Sequence, residues 1–194
     1  MLQSHQEYEQ ETFANLDDSS QEIISSNFFN CTFKNCNLSE ANLSGSTFTK
    51  CSFVNCNLSL VKLTGVNFSE TTFTNCKLMG DNFEVCKFDF GFSPNFINCV
   101  LELANFSGVK MNGCNFKGSI FKKASFISTK MTKCDFSNCD FEGAIFDNTD
   151  LSESNFKQAV NYSINPGKNK LKKTIFSMPD VVGLLNNLDI KIEE

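Results

Sequence analysis

Ten cysteines are the residues of this chain with the widest choice of chemistry, because thiolates bind soft metals, form disulfides and act as nucleophiles. They are Cys31, Cys36, Cys51, Cys56, Cys76, Cys86, Cys99, Cys114, Cys134 and Cys139. Each stands two residues before the central position of a five-residue repeat. Confinement to one repeat position predicts buried, reduced thiols that serve as small apolar side chains in a cytoplasmic protein.

Metal binding is the alternative to this packing role of the cysteines. Cys36, Cys56 and Cys76 are spaced by twenty residues and would stack in a coiled fold. We favour packing, because the thiols point inward and no histidine accompanies them. The only histidine, His5, lies in the polar N-terminal segment.

The sequence shows no catalytic constellation of nucleophile, base and orienting group, and no glycine-rich phosphate loop. We therefore expect no catalytic, cofactor-binding or metal-binding residues, and we interpret the chain as a protein that is not an enzyme. Asp81 is the one acidic residue at an inward repeat position. We interpret it as a structural carboxylate that must find hydrogen-bond donors, with a functional site as the alternative.

A large apolar residue recurs every five positions. One run of thirteen extends from Phe28 to Phe88 and a second run of thirteen from Phe96 to Phe156. On an α-helix, a step of five residues rotates the side chain by roughly 140°, which would leave no apolar stripe. In extended chain the repeat centre and the small residue two positions before it point the same way. The position two residues after the centre holds seven of the ten glycines, which predicts a corner there.

A short extended segment followed by a corner, repeated with every corner turning in the same direction, makes a coil. Phe28, Phe48, Phe68 and Phe88 are spaced by twenty residues, as are Phe33, Phe53 and Phe73, and Leu38, Leu58 and Leu78. Four sides per coil would stack like residues into ladders inside a tube, with backbones about 4.8 Å apart.

The five-residue motif resembles that of the pentapeptide-repeat proteins. It is seen in Ala41-Asn42-Leu43-Ser44-Gly45 and in Cys114-Asn115-Phe116-Lys117-Gly118. The resemblance implies an all-β fold, a right-handed quadrilateral parallel β-helix with four pentapeptides per coil.

The chain divides into three parts. Residues 1–26 are expected to form an irregular N-terminal cap, and residues 27–158 the β-helix, with a short insertion near 89–95. Residues 159–194 are expected to hold a loop, the last repeats, a helix capped by Ser177, and a terminal strand from Leu188 to Ile192. We expect the apolar residues of this tail to pair two copies into a homodimer. They are Val181, Val182, Leu184, Leu185, Leu188, Ile190 and Ile192.

Charge is banded along the chain, whose formal net charge is −5. The basic band consists of Lys110, Lys117, Lys122, Lys123, Lys130 and Lys133. The acidic band that follows it consists of Asp135, Asp140, Glu142, Asp147, Asp150 and Glu153. Net negative charge and the absence of arginine argue against direct binding of nucleic acid. No apolar run approaches the roughly 20 residues of a membrane span, so we expect no membrane partner.

The tail, with its short helix and terminal apolar strand, is similar to that of the quinolone-resistance (Qnr) branch of the pentapeptide-repeat family. That similarity implies a dimeric, acidic rod that mimics DNA, binds DNA gyrase or topoisomerase IV and protects it from quinolones. The acidic band would then be the partner-binding surface. The alternative is an interaction scaffold of unrelated function.

Overall fold

A computed structural model describes residues 1–87 and 93–191 of the chain. The fold is a parallel β-solenoid of about eight turns with almost no helix. Successive coils lie twenty residues apart, so that Phe28 pairs with Phe48 and Phe33 with Phe53. The expected all-β pentapeptide-repeat solenoid is confirmed.

Each strand is only two or three residues long, because a corner interrupts the chain in every repeat. The strands are β1 (Glu7–Glu9), β2 (Thr12–Ala14), β3 (Asn27–Phe29), β4 (Thr32–Lys34), β5 (Thr47–Thr49), β6 (Ser52–Val54), β7 (Asn67–Ser69), β8 (Thr72–Thr74), β9 (Asn95–Ile97), β10 (Lys110–Asn112), β11 (Lys130–Thr132), β12 (Asn155–Phe156) and β13 (Ile175–Phe176). All their pairings are parallel and link neighbouring coils.

We number the four sides of the tube as faces 1 to 4 in the order in which the chain traverses them. Face 1 contains the sheet β1-β3-β5-β7 and the pair β10-β11, and face 2 contains the sheet β2-β4-β6-β8-β9 and the pair β12-β13. Faces 3 and 4 are held mostly by isolated bridges, such as Asn37 with Asn57 on face 3 and Ser125 with Ile145 on face 4.

Ladders of stacked rings fill the tube. On face 2, nine rings follow one another from one end of the solenoid to the other. They are Phe13, Phe33, Phe53, Phe73, Phe96, Phe116, Phe136, Phe156 and Phe176, with neighbouring centroids 4.4–5.6 Å apart. The ladders expected from the twenty-residue spacing are therefore present, although Phe88 lies outside the described residues.

The corners take the backbone conformation that the repeat requires. At most described repeats, the residue two positions after the centre has a positive φ, as at Asn35 (53°), Lys50 (55°) and Gly45 (72°). Asparagine tolerates this region better than most side chains. Asn15, Asn35, Asn55 and Asn75 also form a ladder along the corner between faces 2 and 3, in which each amide nitrogen donates to the side-chain oxygen one coil earlier at 3.2–3.3 Å.

The N-terminal segment differs from the expected irregular cap. Residues 7–14 form β1 and β2, which pair with β3 and β4, and Asp17 and Glu22 continue the coil by bridging to Asn37 and Asn42. The solenoid therefore begins about twenty residues earlier than the repeat pattern indicated. Only residues before this coil act as a cover: Leu2 is buried, and its backbone N–H donates to the Asp18 carboxylate at 2.6 Å.

The insertion leaves the face 2 ladder intact. Phe73 stacks on Phe96 at 5.0 Å although twenty-three residues separate them, and β8 pairs with β9 in register. The expected bulge at 89–95 falls mostly outside the described residues. Of its described part, Pro94 is buried and Asn95 begins β9.

The tail also differs in detail from the expectation. Its helix is a five-residue 3₁₀ helix, Asp180–Leu184, preceded by Pro179 without a side-chain cap. The Ser177 hydroxyl instead accepts a hydrogen bond from the Gln158 backbone N–H at 2.8 Å. Residues 188–191 are not a strand, and Ile192 lies outside the described residues. Among the described residues, no helix is long and apolar enough to cross a membrane.

We predict that Phe116→Ala lowers the free energy of unfolding by about 3–5 kcal/mol, because it removes a fully buried ring from the face 2 ladder. Phe116→Leu should cost less than Phe116→Ala, since leucine leaves a smaller cavity than alanine does. Chemical denaturation measures both changes. The control is Phe29→Ala, whose side chain is 43% exposed. An equal loss in the control would contradict the packing account.

Candidate interaction surface

All ten cysteines are buried and unpaired. Their thiols donate to main-chain carbonyls, for example Cys51 to Phe28 at 3.4 Å and Cys139 to Phe116 at 3.0 Å. Burial raises the pKa of Cys51 and of Cys139 to about 12. Cys51 and Cys139 are therefore protonated at neutral pH and are poor nucleophiles or metal ligands, as the packing interpretation requires.

Asp81 is buried in the tube at a position that alanine or valine occupies in neighbouring coils. Its Oδ1 accepts a hydrogen bond from the Val61 backbone N–H at 3.1 Å, whereas Oδ2 has no partner among the described residues. Desolvation raises the pKa of this carboxyl well above its usual value. A half-satisfied buried acid costs stability.

The acidic band encircles the tube. Asp135 lies on face 2, Asp140 and Glu142 on face 3, Asp147 on face 4 and Asp150 on face 1, as their bridges and hydrogen bonds to neighbouring coils show. Glu153 occupies the corner between faces 1 and 2, where its φ is 63°. Five residues along the chain lead to the next face, so a run of acids in sequence becomes a ring in space.

Lysines of adjacent coils neutralise part of this ring. The Lys122 ammonium lies 2.6 Å from Glu142 and 3.6 Å from Asp140, and the Lys168 ammonium lies 3.5 Å from Asp147. The carboxylate of Glu142 raises the pKa of Lys122.

Asp150 lies between two lysines on face 1. Burial tends to raise the pKa of Asp150, but hydrogen bonds from Ser152 and the charges of Lys170 and Lys130 lower it overall. Along the tube, the acids of this ring thus alternate with lysines of the neighbouring coils. The acids do not form a continuous stripe of negative charge.

The exposed apolar side chains of the coils have a different distribution. In the coils from the second to the last, seven large hydrophobic residues of the described chain are at least 40% exposed: Phe29, Leu60, Val85, Leu103, Ile127, Ile145 and Ile175. Phe29 belongs to face 1 and Ile175 to face 2. The other five lie on face 4 or on the corners that border it, and we call these five residues the apolar face.

The corner between faces 3 and 4 shows how the apolar face is built. Leu60 and Leu103 hold this corner with φ values of 62° and 60°, and Gly80 lies between them with a φ of 70°. A Cβ at Gly80 would meet the Leu60 side chain at 2.7 Å, so the glycine makes room for it. Ile127 and Ile145 extend the surface along face 4, where they are 40% and 51% exposed.

The apolar face was missed by the sequence reasoning, which treated outward positions only as carriers of charge. A signal was available. Leu60 and Leu103 stand at corner positions that asparagine or glycine commonly hold, and Ile145 stands at an outward position that is usually polar. Large aliphatic side chains at such positions point outward and do not pack in the interior of the tube.

The tail residues expected at a dimer interface are partly exposed in the single chain. Leu184 packs against the core, and Val181 is half-buried. Val182, Leu185, Leu188 and Ile190 are 37–54% exposed. The homodimer remains a prediction.

Sequence comparisons identify the family. Three family models match consecutive parts of the chain: a pentapeptide repeat region at residues 26–90, nine copies of pentapeptide repeats at 73–120 and eight copies at 119–158. The chain belongs to the pentapeptide-repeat family. No curated protein matches its sequence.

Three solved structures of pentapeptide-repeat proteins match this chain, and one of them has a TM-score above 0.5. Trypsin-treated QnrB1, a plasmid-mediated fluoroquinolone resistance protein, is 19% identical with a TM-score of 0.54, over 97% of this chain and 92% of that one. HetL from Nostoc sp. strain PCC 7120, involved in the regulation of heterocyst differentiation, is 19% identical with a TM-score of 0.33, over 89% and 84% of the two chains. A thylakoid-lumen protein from Arabidopsis thaliana is 23% identical with a TM-score of 0.34, over 59% and 67%.

We predict that Asp81→Asn stabilises the protein at pH 7 by about 1–3 kcal/mol, because it removes a buried charge and keeps the acceptor for Val61. Asn169 already holds the equivalent inward position on face 1, where its Oδ1 accepts from Thr149 at 2.9 Å. Since the folded pKa is raised, the contribution of Asp81 to stability is fully present below the unfolded pKa of about 3.9. It is lost as pH rises toward the folded value.

The measurement is chemical denaturation from about pH 4 to pH 8. The difference between Asp81→Asn and the parent should widen as pH rises. Glu153→Gln, a change at an exposed corner position, is the control. A difference that is constant across this range, or that shrinks as pH rises, would contradict the account.

Proposed function

We propose that this pentapeptide-repeat chain is a non-catalytic rod that binds another protein through the apolar face. The observation that carries the proposal is the concentration of Leu60, Val85, Leu103, Ile127 and Ile145 along face 4 and the corners that border it, with exposures of 40–59%. Exposed apolar residues gathered among polar ones in one region of a protein surface are typical of interaction sites. Outward residues on the other faces are mainly Asn, Ser, Thr, Lys and acids.

The partner that we propose to test first is DNA gyrase or topoisomerase IV. The support is the net negative charge and the fold shared with QnrB1 along almost the whole chain. The lysines paired with the acidic ring weaken DNA-like electrostatics. We therefore propose that the apolar face contributes more to such binding than the acidic band does.

A scaffold for a different protein is the second candidate. The pairing of Lys122 with Glu142 and of Lys168 with Asp147 favours it, because a surface that cancels its own charge is a poor mimic of a phosphate backbone.

The test is a supercoiling assay of gyrase, with and without a fluoroquinolone, titrated with the parent chain and three variants. We expect the parent to inhibit supercoiling or to protect the enzyme. Ile127→Lys with Ile145→Lys should weaken the effect about tenfold or more, because charge is placed in an apolar contact. The matched control, Phe29→Lys on face 1, should stay within about twofold of the parent.

The third variant, Asp135→Asn with Asp140→Asn, tests the acidic band. A larger loss from this change than from the isoleucine pair would overturn the order that we propose. No effect of excess parent chain would reject the topoisomerases as partners.

The binding proposal itself would then be tested by capture from a lysate. A protein retained by the parent and by Phe29→Lys, but not by the isoleucine pair, supports it. Equal retention by all variants rejects it.

A further inference from the structure

Both ends of the solenoid present an open strand edge on faces 1 and 2. At the C-terminal end, the backbone N–H groups of Leu171 and Lys173 have no acceptor among the described residues. One coil earlier, the N–H groups of Leu151 and Glu153 donate to the carbonyls of Lys170 and Lys172 at 2.9 Å. The last coil is therefore ready to donate the same bonds to a further coil.

The N-terminal end offers the complementary groups. The Phe29 carbonyl accepts a hydrogen bond from the Gln10 N–H at 2.9 Å, but the Glu9 carbonyl, one coil earlier, has no backbone donor among the described residues. Unpaired edges of this kind pair readily with another chain.

The ring ladders end incompletely at both edges. Phe33 and Phe156 are fully buried, whereas Phe13 and Phe176, the terminal rings of the face 2 ladder, are only half-buried. Tyr8 and Leu171 end the face 1 interior in the same way. Each end thus exposes apolar surface that a further coil would cover.

The register of the coils sets which residues would meet if one copy followed another. Asp150 pairs with Lys170 on face 1, and Glu7 pairs with Asn27. Continuing the solenoid by one coil places Glu7 of the next copy opposite Lys170, Tyr8 opposite Leu171 and Glu9 opposite Lys172. On face 2, Phe13 of the next copy would follow Phe176.

Charge complementarity makes this arrangement selective. The first coil carries Glu7, Glu9, Glu11, Asp17, Asp18 and Glu22 and no lysine, and the last carries Lys168, Lys170, Lys172 and Lys173. Two N-terminal ends would place acid against acid, and two C-terminal ends lysine against lysine. Directly opposed like charges destabilise strand pairs, whereas opposite charges stabilise them.

In the described chain, neither terminal segment pairs as a strand with face 1 or face 2. The tail lies over the last coil between faces 3 and 4, where the Gly183 carbonyl accepts a hydrogen bond from the Ile164 backbone N–H at 3.1 Å. At the other end, residues 2–5 lie under face 4, where the Ser4 hydroxyl donates to the Glu22 carbonyl at 2.8 Å.

We propose that the N-terminal edge of one copy binds the C-terminal edge of the next, so that copies of this chain stack end to end through faces 1 and 2. The contact is heterologous, with each end meeting the opposite end, and so it leaves a free edge at each end of the stack. It does not rest on the proposed function.

The test measures the weight-average mass of the full chain by light scattering and sedimentation. At about 20 mM salt the mass should rise with protein concentration and pass twice the chain mass of 21.7 kDa. It should fall at about 0.5 M salt, because the contact depends on ion pairs.

A charge-swap pair of variants makes the test specific. Lys170→Glu with Lys172→Glu makes the face 1 edge acidic at both ends, and Glu7→Lys with Glu9→Lys makes the face 1 edge basic at both ends. Each variant alone should show at least about a tenfold weaker association, whereas an equal mixture should regain the parent's association. The control is Lys77→Glu with Lys117→Glu, which alters the same number of charges away from the ends and should associate like the parent.

Three results would overturn the proposal. The first is a mass independent of concentration at low salt. The second is growth that stops at two copies and persists in both end variants, which indicates a two-fold contact through the tail. The third is an equal mixture that associates no better than its separate components. Circular dichroism of each variant confirms that the fold is retained, so that loss of association is not loss of structure.

Discussion

The match between the rise of the coil and the thickness of an aromatic ring is the constraint on which this structure depends. Parallel backbones pair at about 4.8 Å, and stacked rings in the tube lie 4.4–5.6 Å apart. In most coils, one large apolar side chain per side therefore fills the interior, with a ring at each face 2 centre and leucine at face 3 centres such as Leu38, Leu58 and Leu78. The inward position two residues before the ring must then be small, which explains why cysteine, alanine, serine and threonine hold it. Side chains at the other repeat positions, which hold neither the large apolar residue nor the small one, point outward.

This constraint explains which parts of the fold could be predicted from the sequence. The period of five and the superperiod of twenty predicted the four-sided tube, the ladders and the buried thiols. The first coil was not predicted, because the positions that are small in the other coils hold Gln6, Glu11, Leu16 and Gln21. At the end of the tube no earlier coil crowds these positions, so long side chains fit and the pattern disappears. The tail was predicted from helix-capping signals, but Ser177 is used by the last coil instead.

The exterior was harder to predict, because the interior does not constrain it. Residues that are adjacent in sequence spread around the tube, and residues twenty apart form a line along it. The acidic band consequently forms a ring with lysines of the neighbouring coils beside it. The apolar face is formed by residues such as Leu60, Leu103 and Ile145, which lie far apart in sequence. It becomes visible only when the residues are sorted by face.

The assignment of side chains to inside and outside is the claim on which both proposals rest, and thiol reactivity tests it most directly. The folded chain is treated with an excess of a thiol-reactive reagent at pH 8, and mass spectrometry counts the labels with and without denaturant. The account predicts that the native protein remains unlabelled on a timescale at which the unfolded chain acquires ten labels. Rapid labelling of several cysteines in the native state would contradict it, as would fewer than ten reactive thiols after unfolding under non-reducing conditions.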